Sequence, residues 1–92
     1  MEYTVIHDDK VNRFEVFESG QIGYIQYKID NGVIDVLHTI VPKQLEGQGI
    51  ASALTGYALD YARDEGLKVI PTCPFTKTYI ERHKEYQDLL AG

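Results

Sequence analysis

The sequence predicts an α+β fold: an antiparallel β-meander continued into a mixed sheet, with one long crossover helix and a C-terminal helix. Three observations predict it. Residues 2–41 hold four β-branched, apolar stretches joined by short polar turns, with Asn31-Gly32 the strongest hairpin signal. From Ile50 onward, apolar or small residues fall at Ala53, Leu54, Tyr57, Ala58, Tyr61 and Ala62, the spacing of a helix with one buried face. After Gly66, Leu67-Lys68-Val69-Ile70 is a short apolar strand that follows a helical crossover, so it lies parallel to the fourth strand.

Taken in order, Glu2 to Ile6 reads as a strand and His7-Asp8-Asp9-Lys10 as a polar turn. Arg13 to Glu18 alternates, with Phe14, Val16 and Glu18 on one side and Arg13, Glu15 and Phe17 on the other. Ser19-Gly20 turns the chain into a third strand, Ile22 to Ile29, and Asn31-Gly32 returns it as a fourth, Val33 to Val41. Pro42 breaks that strand. The helix is expected from about Gly47 to Glu65, with Gly66 as its C′ residue. Pro71 and Pro74 bracket Thr72-Cys73, Phe75 to His83 reads as the last helix, and Tyr86, Leu89 and Leu90 suggest one more helical turn that packs back.

Composition bounds the function. The 92 residues read as one domain, 1–92, with a modest core, and 43% hydrophobic with 25% charged residues is ordinary for a folded chain. No apolar run approaches the ~20 residues that span a bilayer, and the N-terminus lacks the basic start and apolar run of a signal peptide. One cysteine excludes an internal disulfide and fits a reducing compartment, so a cytoplasmic protein with no membrane contact is expected. A net charge of −5 with no basic stripe disfavours nucleic acid. It suits solubility and also attraction of amines. No metal-ligand cluster is read.

A strand, a glycine-bearing turn and a helix in direct succession suit an anion. The first helical turn has unpaired N–H groups and a partial positive charge, and glycines let a ligand approach the backbone. Gln44-x-x-Gly47-x-Gly49 lies at that junction. It resembles the coenzyme A pyrophosphate motif of the GNAT acetyltransferases, (Arg/Gln)-x-x-Gly-x-(Gly/Ala). His38-Thr39-Ile40-Val41-Pro42, Pro71-Thr72-Cys73 and Arg82-His83 extend the resemblance to a small branch of that superfamily with a characteristic cysteine.

What the resemblance implies is a GNAT-like fold and an acetyl-CoA-dependent acetyltransferase acting on a small-molecule or protein amine, as a monomer or homodimer. Gly47, Gln48, Gly49, Ile50 and Ala51 would offer N–H groups to the pyrophosphate, Ser52 a hydroxyl, and Val41 its backbone to the acetyl or pantetheine group. Arg82 and His83 would contact phosphates, with Lys43, Lys77 and Lys84 as further cations flanking the site. The fourth and fifth strands would splay to admit the pantetheine arm. Many members carry a tyrosine on the last helix that protonates the leaving thiolate, and Tyr79 best matches it. The Gly-Phe pair that commonly follows is absent here, as are the helices between the first strands and the extra final strands that usually wall the acceptor site.

Cys73 is read in two ways, as a nucleophile that forms an acetyl-enzyme or as a group lining the channel while an amine attacks directly. His38, near a strand end, is a candidate general base, because imidazole titrates near neutrality. Thr39 would point to the opposite face, and His7 is assigned nothing. The alternative function is a non-catalytic coenzyme A-binding module or sensor. A P-loop is disfavoured, since no lysine follows Gly49.

Overall fold

The computed structural model describes residues 3–91. Five strands form one sheet in the order β1-β2-β3-β4-β5: β1 Ile6–Asp8, β2 Arg13–Glu18, β3 Gln21–Asp30, β4 Val33–Ile40 and β5 Lys68–Ile70. The first four are antiparallel neighbours and β5 runs parallel to β4. Helix α1, Ile50–Asp64, crosses between β4 and β5, and α2 is Pro74–Arg82. Short 3-10 segments cover Lys43–Leu45 and Lys84–Leu89. The α+β fold with a mixed sheet is therefore the one the sequence predicts.

Register divides the sheet into two faces. Phe14 pairs with Ile25 and Val16 with Gly23, and all four are buried. With Ile34, Val36 and Val69 they meet Ile50, Leu54, Ala58, Leu59 and Ala62 of α1 and Ile80 of α2 in one core. No helix among the described residues covers the opposite face: Phe17 is 59% and Ile40 45% exposed. There the Arg13 guanidinium lies 3.9 Å from the centre of the Tyr24 ring.

The first strand begins later than expected. Pairing runs Ile6↔Glu15, His7↔Phe14 and Asp8↔Arg13, so His7 and Asp8 are strand rather than turn. The cause is the His7 ring, stacked on Phe14 at 4.4 Å and hydrogen-bonded through Nε2 to the Tyr27 hydroxyl. The expected start at Glu2 falls outside the described residues. The Asn31-Gly32 turn has φ of 52° and 76°, the left-handed pair of a type I′ hairpin.

Tyr27, 3% exposed among these aromatic rings, is pushed up to about 12, first by burial and then by Tyr61, Asp9 and Asp8. An unfolded tyrosine loses its proton near pH 10, so between about pH 10 and 12 the unfolded chain binds fewer protons and stability falls as pH rises. Tyr27→Phe is expected to flatten that alkaline slope, by at most roughly 2–3 kcal/mol at pH 12. Urea melts at pH 8 and pH 11 check it, and an unchanged slope would count against the assignment.

Candidate active-site groove

Three features of the fold converge where β4 ends. The first is the turn into α1. Gly47 and Gly49 have φ of 79° and 82°, which a right-handed helix cannot contain, so α1 starts at Ile50 rather than at Gly47. A Cβ on either glycine would meet no atom within 4 Å, so conformation rather than space calls for glycine. Gly49 caps α1 without a side chain, and no acidic residue occupies the first turn. The N–H groups of that turn therefore face outward without a side-chain partner, as an anion site requires.

The second feature is a fork in the sheet. β5 pairs with β4 only over Val33–Asp35 against Lys68–Ile70. The Cys73 N–H then donates to the Val36 carbonyl at 2.8 Å. Beyond it β4 runs on to Ile40 while the other chain turns into α2. This is the splaying the resemblance implies.

The third feature is a β-bulge. Val36 pairs with Tyr27, but His38 pairs with Gln26, so Leu37 is an extra residue in β4. An inserted residue exchanges the faces of everything after it. Thr39 therefore lies opposite buried Ile25 on the core face, and His38 opposite Gln26 on the uncovered face. This corrects the expected direction of Thr39, whose Oγ1 lies 3.5 Å from Cys73 Sγ. His38 is exposed on the other side of the sheet and is not brought beside the thiol.

A groove joins these features. One part, about 230 Å³, is lined by Val41, Leu45, Glu46, Gly47, Gly49, Ile50, Ala51, Ser52 and Phe75. A neighbouring part shares Val41, Glu46, Ala51 and Phe75 and continues to Thr39 and Ile40. The groove thus brings together Val41, Gly47, Gly49, Ile50, Ala51 and Ser52. It leads from the glycine turn toward the fork, where Thr39 touches the 4%-exposed Cys73. Gln48 lies in the same turn, and its carbonyl accepts the Tyr3 hydroxyl at 2.7 Å.

Other expected contacts lie elsewhere. Arg82 ends α2, the opposite end of that helix from Phe75, and does not line the groove. The His83 ring is stacked on Tyr79 at 3.9 Å, and its Nδ1–H donates to the Tyr79 carbonyl at 2.8 Å. Lys43, Lys77 and Lys84 line neither part, and Glu46 is the charged residue that does. Attraction for an anion at this turn therefore comes from backbone N–H groups and the helix dipole. Tyr79 reaches across to α1, where a Cβ on Gly56 would stand 3.1 Å from its hydroxyl. Burial first, then Asp60 and Glu85, raises its pKa and keeps the phenol protonated.

Cys73 is the N-cap of α2 and the chain's sole cysteine. Burial, the largest single influence, pushes its thiol up. The Thr39 hydroxyl, the Thr76 N–H and hydroxyl and the Phe75 N–H favour the charged form, outweigh burial and leave the thiol below its ordinary value.

Two residues that shape the groove escaped the sequence reading. Thr39 depends on the bulge, which leaves no mark in the hydrophobic pattern. Gly23 does carry a signal, since an isolated glycine inside a strand often marks a close approach. Its missing Cβ makes room for Ile50, the first residue of α1, whose Cγ2 would be 3.1 Å away.

A glycine turn at a helix start, beside a groove that leads toward a forked mixed sheet, is the architecture of a GNAT-type acetyltransferase domain. Residues 13–89 match the model of the GCN5-related N-acetyl-transferase family, and the chain belongs to that family. It is 33% identical over 82 residues to Protein NATD1 of Gallus gallus, covering 86% of this chain and 74% of that protein. For Protein NATD1 of Homo sapiens the identity is 32%, covering 86% and 73%. An NMR structure from Staphylococcus aureus, described as GCN5-like, superposes with a TM-score of 0.75 at 31% identity, covering 99% of this chain and 90% of that one.

Proposed function

We infer that the chain transfers an acetyl group from acetyl-CoA to an amine, with Cys73 as an intermediate carrier. The observation that carries this reading is the groove from the glycine turn to Thr39, whose hydroxyl stands 3.5 Å from the buried Cys73 sulfur at the fork. The site fits the cofactor: outward N–H groups with no acidic residue in the first turn suit a pyrophosphate, and Val41, Ala51 and Phe75 offer an apolar wall to the pantetheine arm. When bound, the cofactor supplies an activated acetyl thioester.

Each group of the chain then has a task. The N–H groups from Ile50 to Ser52 hold the pyrophosphate. Cys73 would release its thiol proton to solvent and, as thiolate, would take the acetyl group from the thioester, a C–S bond forming as the bond to the coenzyme A sulfur breaks. Tyr79, kept protonated, would be the donor to that sulfur and would regain its proton from solvent, although its hydroxyl lies against Gly56 of α1 and lines neither part of the groove. The incoming amine later attacks the acetyl-Cys73 carbonyl and gives up a proton, and the cysteine leaves as thiolate. Exchange of one thioester for another is nearly balanced in energy, so the first step needs little driving force. Arg82 and His83, at the far end of α2, are left the outer phosphates. The open sheet face beside the fork is the approach left to the acceptor, and the proton its amine releases passes to solvent, since His38 lies on the other side of the sheet from the thiol.

A second reading, a coenzyme A-binding module without turnover, is favoured by the bare sheet face, where no helix among the described residues walls an acceptor site. No helix among them is long and apolar enough to cross a membrane. Calorimetry with acetyl-CoA and with ATP, followed by an acetyl-transfer assay over an amine panel, separates the readings. Gly49→Ala places a Cβ at φ 82°, at about 1–2 kcal/mol, and is expected to weaken acetyl-CoA roughly tenfold. Undiminished affinity in that variant, or ATP binding as tight as acetyl-CoA, counts against the pyrophosphate assignment.

A further inference from the structure

We propose that Thr76 is a positioning residue whose buried hydroxyl is held in reserve for the anionic form of Cys73. The inference rests on the cysteine-carrier reading and names the group that makes the thiol reactive. Thr76 is 0% exposed, and its Oγ1 is the one buried side-chain nitrogen or oxygen among the described residues that lacks a hydrogen-bond partner. An unpaired buried hydroxyl is costly, so its retention calls for a partner that is absent from the resting thiol state.

The start of α2 shows what that partner is. Cys73 occupies the N-cap, where serine, threonine or aspartate ordinarily accepts from the N2 or N3 N–H. Here the neutral thiol makes no side-chain cap hydrogen bond. Pro74 at N1 has no N–H, and Lys77 N–H is already bonded to the Cys73 carbonyl at 3.1 Å. The N–H groups of Phe75 and Thr76, at N2 and N3, are left, and Thr76 carries its unpaired hydroxyl in that same first turn. From the opposite side Thr39 Oγ1 already stands 3.5 Å from Sγ. Loss of the thiol proton turns a poor acceptor into a charged one, which the Thr39 hydroxyl, the unpaired Thr76 hydroxyl and the free N–H groups of the first turn favour.

The same groups fix the sulfur's direction. A thiolate held between Thr39 on β4 and Thr76 on α2 sits at the mouth of the fork, next to the groove. Thr76 is fully buried and lines neither part of the groove, so it acts through Cys73 alone.

The absence of any other cysteine makes the test direct. Intact-mass rates of iodoacetamide alkylation, measured from pH 5 to 10 without acetyl-CoA, give the Cys73 titration midpoint independently of its accessibility. The wild-type midpoint is expected below the ~8.5 of a free cysteine. Thr76→Val, which keeps the side-chain shape, is expected to raise it by roughly one pH unit, and Thr76→Ser to restore it. A midpoint unmoved by Thr76→Val overturns the proposal. Should that variant not fold, the wild-type midpoint decides: at or above about 8.5 it overturns the proposal, and below it supports it. A lowered, Thr76-dependent midpoint in a protein that forms no acetyl adduct would leave this inference standing and sink the carrier reading.

Discussion

Replacing Cys73 by alanine is expected to leave acetyl-CoA affinity within about twofold of wild type and to reduce acetyl transfer by roughly 10²-fold or more. The two effects separate because different groups produce them. Affinity resides in the turn from Gly47 to Ser52 and the apolar wall of the groove, none of which the substitution touches. Turnover on the proposed route needs the sulfur itself. Alanine keeps the backbone N–H that donates to Val36, so the fork is preserved. Mass spectrometry after incubation with acetyl-CoA is the companion measurement: a single acetyl adduct on wild type, absent from the variant and discharged by added amine. Unchanged turnover in the variant would remove the carrier role and leave direct attack by the amine as the mechanism.

Gly23→Val is expected to lower both stability and acetyl-CoA affinity, although Gly23 lies on β3 and lines no part of the groove. The Cβ alone would stand 3.1 Å from Ile50 Cγ2, 3.5 Å from the Ile40 carbonyl and 3.7 Å from Val41 Cγ2. Valine adds two methyl groups to that space. Overpacking a core position costs about 1–3 kcal/mol, or a fall in Tm of roughly 5–15 °C for a domain of this size. Relief comes most easily by displacing Ile50, the first residue of α1, and with it the outward N–H groups. A loss of affinity of about tenfold should therefore accompany the thermal shift. Scanning calorimetry and acetyl-CoA titration read the two separately. A destabilised variant that binds normally would show that the start of α1 is not what yields.

Most of the architecture is legible in the sequence because it rests on local rules. Asn31-Gly32 dictates a type I′ hairpin, Gly66 ends α1 at φ 70°, and the 3.6-residue spacing from Ile50 to Ala62 names the helix. The helix face is slightly rotated from the expected one. Thr55 and Leu59 are buried while Tyr57 is 43% exposed, because α1 must serve α2 as well as the sheet. The glycine turn is legible for the same local reason. The surroundings of Cys73 are not, since they depend on contacts 34 residues apart in the chain, between Thr39 and Cys73. Alternation counted along β4 without the bulge gives Thr39 and His38 each other's places. The late start of β1 is equally a tertiary effect, set by His7 docking on Phe14 and Tyr27.

The extra residue at Leu37 works as a parity switch. Counting from buried Val36, an even step ordinarily stays on the same side of a strand and an odd step leaves it. After the bulge the rule is inverted, and Thr39, three residues on, is again on the side of Val36. What faces the thiol is therefore set by whether the strand absorbs an extra residue before the fork, as much as by which residues follow. A family member of the same length whose strand ran on without the bulge would turn an imidazole toward its cysteine and a hydroxyl toward solvent, from nearly the same string of letters. Matching such chains letter by letter would pair histidine with histidine across opposite sides of the sheet.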